Sequence, residues 1–327
     1  MASVKIGTRG SKLALSQTQQ ITDRLCAVGG FEAEIIPIKT DGDVLTGPLS
    51  QMGGTGVFAA ELRAAVLDGR VDVAVHSLKD LPTAAVPGLA LAAVPVREDA
   101  RDALCARDGL KLSELPMGAT VGTGSPRRAA QLLAARSDLN IVDIRGNVDT
   151  RLGRVPGLPG NAVVDPEPGK VADLDAVVLA AAGLSRIGRL DTVTEFLDTD
   201  VMLPAPGQGA LALECRTDDA QLTGVLGQSL SAIDDQDTRL AVTAERALLA
   251  RLEAGCSAPV GAFAHRKGSM LYLETVVASL DGARTMRLKK ATDGLTSVGA
   301  TLLGIELAEE LLAGGAADLA ELAGSAQ

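Results

Sequence analysis

Apolar residues in the first two-thirds of the chain fall into short runs separated by helix-period stretches, a rhythm that predicts an α/β fold. Strands are predicted over 4–8, 31–38, 71–75, 89–96 and 102–106, and helices over 11–27 and 58–67. The charged stretch Pro95-Val96-Arg97-Glu98-Asp99 between the last two strands reads as a hinge. A second unit repeats the rhythm, with strands over 120–123, 140–144 and 175–180 and a helix over 147–155. Ser125-Pro126-Arg127-Arg128 opens another helix there, with a serine placed to cap it and proline at the first helical position. Four prolines and three glycines between Pro156 and Lys170 read as an exposed, mobile surface loop. Leu203-Pro204-Ala205-Pro206-Gly207-Gln208-Gly209 closes the unit, and the run over 210–215 is expected to return to the first.

The last third changes period. A helix is predicted over 237–252, alternating strands over 260–264, 270–279 and 285–290, and a closing helix over 304–312. These make a small α+β unit, with an Ala/Gly-rich tail from Ala313 that is expected to fray.

At 327 residues the chain exceeds what one hydrophobic core supports, so two or three domains are expected. With no tryptophan and one tyrosine, Tyr272, it lacks the stacking platform of a single-strand nucleic-acid binder. The 31 basic and 41 acidic residues give a net charge of −10, which argues against a general polyanion binder. The first residues run straight into a strand without a signal-peptide pattern, and no stretch has the apolar length of a membrane span. The expectation is a soluble cytoplasmic protein with reduced thiols, monomeric, without nucleic-acid or membrane partners.

The four cysteines, at 26, 105, 215 and 256, form no C-x-x-C pair, so a structural zinc site is not expected. Cys256, in Leu252-Glu253-Ala254-Gly255-Cys256-Ser257-Ala258-Pro259, follows a helix among small residues and is expected on a loop. A displayed thiol can serve as nucleophile, metal ligand or covalent tether.

Arginine recurs where predicted strands end or helices begin, the places at which open α/β sheets bind ligands. Arg9, Arg127, Arg128, Arg145 and Arg151 occupy such places. Each alone is an ordinary surface residue, but together in an acidic chain they point to a cleft for a carboxylated or phosphorylated ligand. A second cluster, His76-Ser77-Leu78-Lys79-Asp80-Leu81-Pro82, follows a buried strand. Its carboxylate could carry a proton or stabilise a passing cation, or pair locally with the lysine; His76 reads as a structural histidine. The stretch Met52-Gly53-Gly54-Thr55-Gly56-Val57-Phe58 lacks the ending of a P-loop and reads as a lid or helix-entry loop.

Taken in order, Thr8-Arg9-Gly10-Ser11, Ala74-Val75-His76-Ser77-Leu78-Lys79-Asp80, Val121-Gly122-Thr123-Gly124-Ser125-Pro126-Arg127-Arg128, Arg145-Gly146-Asn147, Gly207-Gln208-Gly209-Ala210 and Leu252-Glu253-Ala254-Gly255-Cys256 resemble the signatures of the porphobilinogen deaminase (hydroxymethylbilane synthase) family. The resemblance covers nearly the whole chain. It implies two periplasmic-binding-protein-like doubly wound α/β domains plus a small α+β C-terminal domain. Their expected bounds are 1–97 with 205–228, 98–204, and 229–327.

It also implies the transferase chemistry of tetrapyrrole (heme) biosynthesis. Four porphobilinogen molecules join head to tail with loss of ammonia, and water releases linear hydroxymethylbilane. The cofactor would be a dipyrromethane primer held by a thioether to Cys256. Asp80 matches the catalytic aspartate, which stabilises the electron-poor azafulvene left when ammonia departs. Lys79, Asp80, Ser125, Arg127, Arg128 and Arg145 would surround the cofactor. Arg9, Ser11, Gln17, Phe58, Ser77, Arg145, Arg151, Arg186 and Gln208 would meet the substrate. The chain departs from many relatives at Gln51 and Thr55, where they have lysines in the lid-like loop, and the stretch from Pro156 to Lys170 reads as an insertion. Two other classes remain. A non-enzymatic anion-binding module would have no need of Cys256 or Asp80. A thiol enzyme attacking through Cys256 would need a base, and neither His76 nor His265 is placed by sequence to be one.

Overall fold

The computed structural model describes residues 3–39, 59–159, 172–220, 224–255 and 258–320. Three sheets organise them. The first contains β1 (Val4–Arg9), β2 (Ala33–Ile38), β3 (Val73–Ser77), β4 (Leu89–Ala93) and β10 (Leu211–Arg216), in the order β2-β1-β3-β10-β4. The second contains β5 (Asp102–Ala106), β6 (Thr120–Gly122), β7 (Asn140–Val142), β8 (Ala176–Ala180) and β9 (Glu195–Leu197), in the order β7-β6-β8-β5-β9. The two orders are equivalent. In each, three parallel strands are followed by one antiparallel strand, β10 or β5, and then by an edge strand.

Both antiparallel strands directly follow a crossing of the chain from one sheet to the other. The expected return of the run after Gly209 to the first sheet is therefore observed, as β10 pairing between β3 and β4. The predicted hinge, 95–99, lies in the first crossing, but its Arg97 is bound rather than free: Nη1 donates to Glu245 Oε1 at 2.6 Å.

Helices follow the strands as the apolar spacing predicts. The described helices of the first two units include α1 (Lys12–Gly29), α2 (Ala60–Leu67), α3 (Pro126–Ala135), α4 (Val148–Leu152), α5 (Ala181–Arg186) and α6 (Val225–Ile233). The α1 helix begins where the Ser11 side chain accepts from Ala14 N and ends at Gly30, whose φ of 63° suits glycine. Central strands β3 and β8 read Val-Ala-Val-His-Ser and Ala-Val-Val-Leu-Ala and are buried along almost their whole length, as strands covered on both faces must be.

The third unit is a meander of β11 (Val260–Lys267), β12 (Met270–Ala278) and β13 (Thr285–Thr292) packed under α7 (Gln236–Arg251) and α8 (Ser297–Ala313). Leu240, Leu248, Leu271, Leu273, Leu303 and Leu307 form its core. No described helix is long and apolar enough to cross a membrane.

Several expectations are corrected. The closing helix starts at Ser297, seven residues before the expected Gly304, because Thr296 caps it by accepting from Gly299 N. The Ala/Gly tail is not all frayed: Ala316–Ala320 is helical, with Ala316 fully buried. Ser125 stands at the N-cap of α3, but its side chain makes no cap bond; Pro126 supplies the helical start. The predicted surface loop, 156–170, is exposed at Pro156, Gly157 and Pro159, but Leu158 packs into the core of the second unit at 5% exposure, while 160–171 lie outside the described residues. The helices α5 and α6 and the strand β9 have no counterpart in the sequence reading.

Candidate active site

The carboxyl ends of the parallel strands face a cleft, where an open α/β sheet presents free backbone groups to a ligand. Two cavities occupy it, of about 550 and 670 Å³, and Lys79, Asp80, Arg128 and Arg145 line both. Lys79 and Asp80 sit on a 3-10 turn, Leu78–Asp80, which the chain makes on leaving β3. The buried Leu78 anchors that turn from beneath. The Asp80 carboxylate makes no hydrogen bond or ion pair among the described residues, so it faces the wall common to both cavities with its acceptors open.

The smaller cavity is bounded by the first turn of α3, with Ser125 and Arg127, and by Gln208. Its far side is made by Gly255 and Ala258, the described neighbours of Cys256 and Ser257. The larger cavity takes Arg9 from the end of β1, Ser11 and Gln17 from the start of α1, and Ser77 from β3. Arg151 of α4 and Arg186 of α5 complete its cationic rim. Every predicted site residue within the described chain thus lines one cavity or both. Phe58 and Cys256, with the lid-like loop that holds Gln51 and Thr55, lie outside the described residues.

Convergence is not the same as availability. Arg128 directs Nε and Nη2 to Asp102 Oδ1 at 3.0 and 2.8 Å and Nη1 to the Val178 carbonyl at 3.1 Å. Arg186 donates to the Gly209 carbonyl at 2.7 Å. Gln208 is fully buried, and its Nε2 donates to Ala100 O and to Asp102 Oδ1, each at 2.8 Å. These three act first as framework. Arg127 Nη1 donates to Leu203 O at 2.6 Å and lies 2.8 Å from Asp102 Oδ2, while its buried Nε has no hydrogen-bond partner. Arg145 Nε is likewise buried without a hydrogen bond; Asp143 stands 3.7 Å away.

Packing so many cations together shifts their protonation. Burial lowers the Lys79 ammonium to about 8, with Arg128 and Arg127 adding repulsion that Asp80 and Asp102 oppose. Arg151 is lowered by burial and then by Arg128 and Arg145. Asp102 would be raised by burial, but the charges and hydrogen bonds of Arg127 and Arg128 outweigh it and hold the carboxyl well below the usual range. Sequence reasoning missed Asp102 and Glu245, both 0% exposed, because nothing local distinguishes an acidic residue at the head of a strand or within a helix.

Residues 4–224 match a family model described as "Porphobilinogen deaminase, dipyromethane cofactor binding domain". Residues 239–313 match "Porphobilinogen deaminase, C-terminal domain". The chain belongs to the porphobilinogen deaminase family. It is 54% identical to the porphobilinogen deaminase of Cutibacterium acnes, over 99% of this chain and 99% of that one. It is 50% identical to that of Micrococcus luteus, over 97% of this chain and 94% of the relative. Among solved structures, a periplasmic substrate-binding protein of an ABC transporter from Coxiella burnetii aligns at 16% identity and a TM-score of 0.42, over 70% of this chain and 91% of that one. Likeness of that degree bears on no function.

The cofactor of the family's matched domain is dipyrromethane, and the residues present fit a carboxylated group of that kind. Two buried guanidinium nitrogens without a hydrogen-bond acceptor among the described residues, Arg127 Nε and Arg145 Nε, belong to residues that line the cavity bounded by Gly255 and Ala258. A polyanion there would satisfy donors that are otherwise costly to bury.

Proposed function

We propose that this protein is a hydroxymethylbilane synthase, joining four porphobilinogen molecules head to tail on a dipyrromethane attached through a thioether to Cys256. One observation carries the reading. A carboxylate with open acceptors, Asp80, stands on the wall shared by two cavities whose linings also gather Arg9, Lys79, Arg127, Arg128, Arg145, Arg151 and Arg186.

When bound, the dipyrromethane would supply the pyrrole end to which the first unit is joined, each later unit joining the one before it. In each addition the aminomethyl C–N bond of porphobilinogen breaks, ammonia leaves, and a C–C bond forms to the preceding pyrrole carbon, which then loses its proton. Asp80 stabilises the positive charge developing on the incoming pyrrole and exchanges protons with pyrrole nitrogen. Arg9, Arg145 and Arg151 pair with the acetate and propionate groups, and Ser11, Ser77 and Ser125 add neutral hydrogen bonds. Arg127 and Lys79 add charge beside Asp80, and Gln17, Arg186 and Gln208 shape the walls. Three domains with bounds at 1–97 with 205–228, 98–204 and 229–327, a monomer and a cytoplasmic location belong to the same reading.

The test is the intact mass of the purified protein, before and after adding porphobilinogen, in the parent and in Cys256→Ala and Asp80→Asn. The parent should carry two linked pyrrole units on the peptide containing Cys256, and Cys256→Ala should fold without them. Asp80→Asn should keep its fold and lose turnover at least 100-fold, the scale of one proton-transfer group. A parent whose mass never moves would leave the anion-binding module standing.

A further inference from the structure

Asp102 is the first residue of β5, reached immediately after the chain crosses between the first two sheets. It is fully buried, and three side chains from two other segments converge on its two oxygens. Arg128 takes Oδ1 with Nε and Nη2, Gln208 takes the same oxygen at 2.8 Å, and Arg127 Nη1 lies 2.8 Å from Oδ2. The first turn of α3 and the returning crossing are therefore fixed to one carboxylate. The clamp is reinforced from its other side. The Leu203 carbonyl accepts from Arg127 Nη1 at 2.6 Å and from Gln131 Nε2 at 3.0 Å, and Leu203 N donates to Gln131 Oε1 at 2.8 Å.

The consequence is electrostatic as well as geometric. Two adjacent guanidiniums in a buried wall repel each other, and each could adopt several rotamers toward a ligand. With Asp102 between them, the pair carries one net positive charge instead of two. Nη1 of Arg127 and Nε and Nη2 of Arg128 are held inward; Arg127 lines the smaller cavity, and its buried Nε has no hydrogen-bond partner among the described residues. We propose that Asp102 is a positioning residue for binding: it orients Arg127 and Arg128, through Gln208 locks them to the crossing, and so presents one fixed guanidinium edge to the pyrrole carboxylates. This rests on the synthase reading of the cleft. Pre-orientation lowers the ordering cost of binding, so its loss is read in affinity before it is read in chemistry.

The experiment compares the parent, Asp102→Asn and Gln208→Met. Asparagine preserves volume and one acceptor but removes the charge; methionine keeps the charge and removes the third donor on Oδ1 together with its bond to the Ala100 carbonyl. For folded Asp102→Asn, the KM for porphobilinogen should rise about tenfold, equivalent to about 1.4 kcal/mol, with kcat changed less than threefold. The fraction of purified protein that carries the added pyrrole mass should also fall. Gln208→Met should shift KM in the same direction by a smaller factor, and it carries the test alone if Asp102→Asn does not fold. A KM and loaded fraction equal to the parent's in a folded variant would overturn the proposal, as would a lower melting temperature with unchanged KM, the sign of a purely structural role. A parent that neither gains mass nor consumes porphobilinogen would count against the synthase reading and is seen before any variant is made.

Discussion

Arg97 and Glu245 are joined by two hydrogen bonds, 2.6 and 3.2 Å long, which fasten the first chain crossing to a helix of the third unit. Glu245 is 0% exposed, and its two oxygens also accept from Gly207 N of the second crossing at 2.6 Å and from Ala264 N of β11 at 2.8 Å. One carboxylate thus ties both crossings to β11 of the third unit. Four donors on a buried acid make it indispensable once the fold depends on it.

Replacing Glu245 by Gln should therefore be among the most damaging single changes outside the cleft. It leaves the Arg97 guanidinium, itself largely buried, without its charge partner. A loss of about 3–5 kcal/mol is expected, measured as a lower urea midpoint. A midpoint equal to the parent's would mean that water reaches Arg97.

Lys79 gives the cleft a pH dependence. Burial brings its ammonium to about 8, so the charge beside Asp80 disappears above that pH. The KM for porphobilinogen should climb between about pH 8 and 9.5, and Lys79→Arg, which stays charged, should flatten the rise. Because the folded value lies below the ordinary one, the charged lysine opposes folding, and its deprotonation from about pH 8 to 10.5 adds stability. An unaltered KM profile in Lys79→Arg would assign the alkaline limb to another group.

Glu214 should show the opposite sign at acid pH. Burial would raise its carboxyl, but His76, 3.1 Å away, and the two-pronged Arg63, at 2.8 and 2.9 Å, bring it to about 2. Its contribution is complete above the ordinary value near 4.5 and fades as pH falls toward 2. Glu214→Gln should cost on the order of 2 kcal/mol at pH 6, and the gap to the parent should narrow steadily below pH 4.5 in parallel thermal melts. A gap independent of pH would show that packing, not charge, is what the variant loses.

Gly209 occupies the second crossing with φ of 86°, and a Cβ there would stand 2.6 Å from the Glu98 carbonyl of the first crossing. The two crossings touch through this position, where Glu98 N donates to Gly209 O at 3.3 Å. Gly209→Ala should destabilise by about 1–3 kcal/mol and reduce turnover, since Arg186 holds the same carbonyl. A variant with parental melting temperature would show that the crossings separate at little cost.

What the sequence disclosed depended on period and on local chemistry. The runs that became β3, β5 and β8 were legible because full burial leaves almost no polar residue in them. The arginines at strand ends were legible because the topology of open sheets assigns those places to ligands. Asp102, Glu245 and Glu214 were not, because each has meaning only through partners 19 to 151 residues away. For the same reason the turning inward of Arg128, Arg186 and Gln208 could not be read: a guanidinium that grips a ligand and one that grips a carbonyl have the same sequence signature. The helix α6 escaped because its N-cap, Gly224, has no capping side chain.

The exchange of strands between the first two units also imposes an order of assembly. Among the described residues the edge strand β4 has β10 as its only neighbour in the sheet, and β10 is made more than a hundred residues later. A nascent chain that has just completed the second unit still holds β4 without a ladder, with one side of β3 open to any passing strand. The first unit is begun first on the ribosome and finished only after the second, and its exposed seam closes only when the returning segment is released.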